Sequence, residues 1–116
     1  MTTVYGIKNC DTIKKTLKWL NNEQIEYGFH DYKKEGIDSK TLKRWCAKVD
    51  WEELVNRRGT TWRKLPESKR DGLNQTKAIQ LMIDNPSLIK RPVIENGKQV
   101  IVGFNESTLS ELLTKA

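Results

Sequence analysis

Apolar residues recur along this chain with two periods, and the switches between them mark out its elements. Val4, Tyr5 and Ile7 form a short β-favouring run, whereas Ile13, Leu17 and Leu20 recur at i, i+4 and i+7, the spacing of one helix face. The join between strand and helix falls at Asn9 to Thr12, and the helix ends near Asn21 and Asn22. Tyr27 to Tyr32 reads as a second strand, with Phe29 and Asp31 alternating against His30 and Tyr32. Strand, helix and strand in this order make a βαβ unit, for which a parallel, right-handed crossover is the default. His30 reads as an ordinary half-buried strand residue.

Lys33 to Gly36 reads as a polar turn. Ser39 is then a suitable N-cap for a helix with Leu42, Trp45, Cys46 and Val49 on its apolar stripe. Asp50 and Glu53 have the spacing of a capping box and open a short helix through Leu54 and Val55. From Asn56 to Gly72 no clean period survives, which describes a long surface loop or a broken helix. Its basic residues and Trp62 are of the kinds that cradle an anion, and Trp62 equally suits pinning the loop to the core.

Asn74 caps a further helix carrying Ala78, Ile79, Met82 and Ile83, stopped by Asn85-Pro86, and Pro86 opens a short turn through Leu88-Ile89. Arg91 to Val102 reads as a β-hairpin turning at Asn96-Gly97, since a type I′ turn needs positive φ at both central residues. Asn105 caps a last helix with Leu109, Leu112 and Leu113 on one face, Glu106 near its positive end and Lys115 near its negative end. The order is β-α-β, a helical insert, then β-β-α.

Composition narrows the class. In 116 residues, 36% are hydrophobic and 31% charged with both signs interspersed, which describes a globular chain able to bury one core. No apolar run approaches the roughly 18 residues that span a bilayer, and Met1-Thr2-Thr3-Val4 has neither the basic nor the apolar part of a signal peptide, so a cytoplasmic location is expected. Two cysteines and a single histidine exclude a disulfide scaffold and give no metal-ligand spacing. The net charge of +6 is spread along the chain, which fits a solvated basic surface or attraction of a small anion or acidic partner. No direct nucleic-acid binding, no membrane contact and a monomer are expected.

The chemistry centres on Cys10. At the start of a helix a cysteine meets first-turn N–H groups that have no intrahelical partners, together with the positive end of the helix dipole. Lys8, Lys14 and Lys15 add positive charge and Asp11 opposes it, so the placement is expected to favour thiolate over thiol. Cys46, on an apolar stripe, reads as a structural cysteine.

A β-α-β unit followed by a ββα unit, with a cysteine at the first helix N-terminus and a proline opening the third strand, is the thioredoxin-like arrangement. The expected fold is therefore an α/β (α+β) thioredoxin-like domain over residues 1–116. It has a central mixed four-stranded sheet and a helical insert at roughly 38–90.

The residues resemble a known family over nearly the full length. Tyr5-Gly6-Ile7-Lys8-Asn9-Cys10-Asp11-Thr12-x-Lys14-Lys15, then Asn56-Arg57-Arg58-Gly59-Thr60-Thr61-Trp62-Arg63, then Leu88-Ile89-Lys90-Arg91-Pro92-Val93 are similar to segments of the arsenate reductase and Spx family. Within it the chain is most similar to the small YffB-like branch, to which glutathione-dependent thiol reduction is ascribed. The resemblance implies that Cys10 is the nucleophile, that Arg91 precedes a cis-proline at Pro92, and that no cofactor is bound, glutathione serving as co-substrate. It further implies that Lys8, Asn9, Thr12, Arg57, Arg63, Arg91 and Pro92 form the substrate or glutathione site, with another small anionic thiol or a glutaredoxin as further partners. Arginine suits this role because its planar fork cannot lose its charge and matches an oxyanion.

Two departures bear on the reaction. Arsenate reductases of this type use three arginines around the cysteine, and here Phe104 stands where the third falls and Asn56 where the first falls. Spx-type regulators, which bind RNA polymerase, sense oxidants through a Cys-x-x-Cys pair at this helix start, and here position 13 is Ile13. The leading expectation is a glutathione-dependent thiol reductase, with arsenate reduction and an Spx-like regulator as the alternatives.

Overall fold

The computed structural model describes residues 2–8, 10–97 and 99–113, apart from the side chains of Leu112 and Leu113. The chain divides into two compact units: a sheet unit, comprising the residues up to Tyr32 and those from Arg91 onward, and a helical unit, Lys33–Lys90. No helix among the described residues is long and apolar enough to cross a membrane.

In the sheet unit, β1 (Thr2–Gly6), β2 (Tyr27–Asp31), β3 (Val93–Asn96) and β4 (Gln99–Val102) form one mixed sheet in the order β2-β1-β3-β4. β1 and β2 are parallel, as the helical crossover between them demands, while β1–β3 and β3–β4 are antiparallel. The crossover is α1 (Asp11–Asn22), and α8 (Glu106–Leu113) follows the hairpin. This is the expected thioredoxin-like fold. Val4, Ile94 and Ile101 of the sheet pack with Ile13, Trp19 and Leu20 of α1 and Leu109 of α8 in one core cluster. Full burial of a side chain such as Ile13 contributes about 1.5–3 kcal/mol.

Local chemistry sets the ends of these elements. After Asn22 the chain turns through Gln24, at a positive φ of 59°, and Ile25 N–H returns to the Leu20 carbonyl at 2.9 Å. β2 stops at Asp31, and Tyr32 begins a single helical turn, α2 (Tyr32–Glu35), where a last strand residue and a polar turn were expected. The hairpin also differs in detail. Asn96 pairs with Gln99 as the last strand residue, so of the expected turn pair only Gly97 has positive φ, 60°. Asn105 caps α8 as expected, accepting from Thr108 N–H at 3.1 Å. Lys115, and the side chains of Leu112 and Leu113, lie outside the described residues.

The helical unit contains α3 (Ser39–Cys46), α4 (Trp51–Leu54), α5 (Thr60–Lys64), α6 (Glu67–Arg70) and α7 (Gln75–Asp84), then one 3₁₀ turn at Pro86–Leu88. Leu42, Trp45, Leu54, Ala78, Ile79, Leu81, Met82 and Leu88 are buried in it. The cap of α3 is Asp38 and not Ser39: the Asp38 carboxylate accepts from Thr41 N–H at 2.8 Å, and hydrogen bonding by the Thr41 side chain and then by this N–H holds its pKa below the ordinary value. Asp50 caps α4 through Glu52 N–H, and Asn74 caps α7 through Lys77 N–H, 2.9 Å. The aperiodic run resolves into a broken helix, α5 and α6 separated at Leu65-Pro66, because Pro66 cannot donate to a helix in progress.

Candidate functional site

Cys10 is the N-cap residue of α1. Its backbone is extended (φ −138°, ψ 127°), and its carbonyl accepts the first intrahelical bond from Lys14 N–H at 2.9 Å. Its side chain makes no capping bond, unlike the oxygen of a Ser or Asp cap, so Cys10 itself leaves the first-turn N–H groups to other acceptors. Cys10 is half-buried and packs against the core cluster. Ile13, three residues on, is fully buried, so the position of a second cysteine in a Cys-x-x-Cys pair is filled by core packing.

β1 delivers Cys10 to its place through a tight contact. A Cβ added at Gly6 would collide with Ile13 Cδ1 and lie 2.9 Å from its Cγ1. Glycine there lets the first turn of α1 press onto the strand. Thr12 is half-buried, its carbonyl accepting from the Thr16 hydroxyl at 2.7 Å, and Lys8 is exposed. Asn9 lies outside the described residues.

The register brings a second segment to the same end of the sheet. Tyr5 pairs with Val93, so Arg91 and Pro92, just before β3, stand beside the end of β1 from which the Cys10 loop departs. The Arg91–Pro92 peptide bond is cis, as the resemblance implied. Pro92 is buried, its carbonyl accepting from Gly103 N–H at 2.8 Å, and Arg91 is half-buried. That bond ties down the loop expected to carry a third arginine. The loop presents Phe104 instead, partly buried against the core cluster.

Tyr32 also belongs to this end, directly after the Gly6–Asp31 pair. Sequence reasoning passed over it because it read as one more strand residue. It is 1% exposed, its ring centroid lies 6.5 Å from that of Tyr5 and 6.2 Å from that of His30, and its hydroxyl has no hydrogen-bond partner among the described residues. Burial pushes its pKa strongly upward, the neighbouring Tyr5 adds to this, and the Arg91 charge opposes both. Tyr5 donates its own hydroxyl to Glu95 Oε1 at 3.1 Å.

Arg57 and Arg63 lie on the helical unit. The Arg57 guanidinium stands over two indoles, 5.8 Å from the Trp51 ring centre and 5.6 Å from that of Trp62, and 3.8 Å from a Glu52 carboxylate oxygen. Trp62 is half-buried and carries this arginine, a use its position in an aperiodic run did not announce. Arg63 is exposed. Cys46 is half-buried at the end of α3, where burial and then the Asp50 carboxylate push its thiol pKa up.

The fold and this cysteine-bearing helix start define a class, and the chain belongs to it: residues 5–112 match the model of the ArsC family. An uncharacterized protein of Haemophilus influenzae is 48% identical over 106 residues, 91% of this chain and 93% of the relative. The solved structure of the YFFB (PA3664) protein is also 48% identical, with a TM-score of 0.95 over 97% of this chain and 99% of that one. More distantly, the global transcriptional regulator Spx of Streptococcus mutans is 26% identical over 117 residues, 99% of this chain and 85% of the regulator.

Proposed function

We propose that this chain is an oxidoreductase of the single-cysteine kind, reducing thiol-linked disulfides with glutathione as the second thiol. The observation that carries the reading is the state of Cys10: a half-buried N-cap whose sulfur makes no capping bond, followed one turn later by the buried Ile13 in place of a resolving cysteine.

The Cys10 thiolate attacks the glutathione sulfur of a mixed disulfide between glutathione and a substrate thiol. A new S–S bond forms at Cys10, the old one breaks, and the substrate leaves as a thiolate that takes a proton from solvent. A second glutathione thiolate then attacks the glutathione sulfur held on Cys10. Oxidised glutathione leaves and Cys10 returns as thiolate; the net exchange consumes one free glutathione thiol and converts the mixed disulfide into the substrate thiol and oxidised glutathione. First-turn N–H groups beside Thr12, with Lys8 and Arg91, are the groups of the sheet unit suited to the carboxylates of glutathione.

The test is turnover of a glutathionylated peptide by two variants. Cys10→Ser abolishes transfer and Cys46→Ser keeps most of it; equal losses would point to a two-cysteine mechanism and against this reading. The similarity to Spx over the whole chain favours a second reading, a regulator that binds RNA polymerase through its scaffold. Capture of polymerase subunits that is unaffected by Cys10→Ser, in a chain without thiol transfer, would select it.

A further inference from the structure

The helical unit carries a built feature of its own, independent of the sheet-unit groups named above. Main-chain bonds run from Asn56 N–H to the Leu88 carbonyl and from Lys90 N–H to the Leu54 carbonyl, each 2.8 Å, on either side of an antiparallel bridge between Val55 and Ile89. This short ladder fixes Lys90 beside Asn56, Arg57 and Arg58, residues remote from it in sequence. Together with Glu52 and Val55 they line a polar pocket of about 400 Å³.

Three of the six lining groups are cations and one is a carboxylate, leaving two positive charges unbalanced. The arginine among them best placed to bind is also held in position. Its place within cation–π range of Trp51 and Trp62 engages the guanidinium through its charge, and leaves its N–H donors for an in-plane acceptor. Glu52 approaches at 3.8 Å, longer than the roughly 2.7–2.9 Å of a charge-assisted hydrogen bond. The internal carboxylate therefore sits near the arginine without saturating it. The loop behind is fixed by Asn56, whose Oδ1 accepts from Arg58 N–H at 3.2 Å, and Gly59 leaves room for the Asn56 side chain.

We propose that this pocket binds a dianionic phosphate group, free or carried by a small molecule, with Arg57, Arg58 and Lys90 as its ligands. The choice of phosphate over carboxylate follows from charge and number. A phosphate ester carries about −1.5 to −2 charge near neutral pH and offers three acceptor oxygens, which matches three cationic arms and the unbalanced charge. A carboxylate would satisfy one arginine fork and leave one of the two unbalanced positive charges uncompensated.

The experiment is a titration of the full chain with inorganic phosphate and, separately, with glycerol phosphate, at constant ionic strength balanced by chloride. The readout is the indole N–H resonances of Trp51 and Trp62, assigned by Trp→Phe substitution. The expected result is a saturable shift of both indoles, with binding weakened about tenfold in Arg57→Gln and in Lys90→Gln and strengthened severalfold in Glu52→Gln, which removes the competing carboxylate. Arg58→Gln, an exposed residue that stacks on neither indole, gives an independent loss should Arg57→Gln disturb the tryptophans. Tighter binding of glycerol phosphate than of phosphate would assign a phosphorylated small molecule, and the reverse order free phosphate. A response that chloride reproduces, or affinities unchanged in Arg58→Gln, Lys90→Gln and Glu52→Gln, would overturn the proposal.

Discussion

Two side chains test the physical reading residue by residue. Tyr32 buries a hydroxyl with no partner among the described residues, and such a group costs about 1–3 kcal/mol of desolvation. Tyr32→Phe should therefore leave stability to urea unchanged or raised; a loss above about 1 kcal/mol would reveal a hydrogen bond to this hydroxyl. The same residue sets a pH limit. Because its folded pKa is raised, its contribution is fully present below the unfolded value of about 10, and above that value the unfolded chain releases a proton that the fold retains. Stability should fall as pH rises past that point, by up to about 1.4 kcal/mol per unit, and less steeply in Tyr32→Phe. Cys46 is the second case. With its pKa pushed up by burial and Asp50, it holds less thiolate than an ordinary cysteine, and site-resolved mass spectrometry at mildly alkaline pH should find its alkylation slow.

At the scale of elements, the position of Cys10 depends on how closely α1 sits on β1. Gly6→Ala would force Ile13 out of a fully buried place, so a loss of about 1–3 kcal/mol is expected in chemical denaturation, with lower thiol transfer although Cys10 itself is unchanged. A variant as stable and as active as the parent would show that the contact places nothing. The elements themselves were largely legible. The i, i+4, i+7 stripe of α1 and the β-branched runs of the sheet carry strong periods, and the caps Asn74 and Asn105 act as their residue types demand. Boundaries were less so. Asp38 and Ser39 are both good N-caps, and only the bond to Thr41 N–H decides between them. Asp38→Ala should accordingly lower thermal stability more than Ser39→Ala. The Asn96-Gly97 signal located a hairpin, but Asn96 pairs with Gln99 in the strand, and of the two signal residues Gly97 has the positive φ.

For the whole molecule, the order of elements was enough to expect a mixed sheet interrupted by a helical insert, because a βαβ unit and a ββα unit have few ways to share one sheet. Contacts between remote segments were not legible. Lys90 beside Arg57, or Arg57 over Trp51 and Trp62, has no period to announce it, since each arises from a ladder or a stack that closes only in the fold. Phe104 shows the opposite case: its identity bears on the reaction, and the structure adds that it packs against the core. With an aromatic ring where a third arginine would bind an oxyanion, the chain is expected to form no arsenite from millimolar arsenate and glutathione.

The central claim is that Cys10 alone carries the transferred group. Its most direct test is to mix the reduced chain with a glutathionylated peptide, quench with acid, and locate the modified sulfur by mass spectrometry. The account predicts one glutathione on Cys10 and none on Cys46. A disulfide between Cys10 and Cys46, or glutathione on Cys46 with Cys10 untouched, would contradict it.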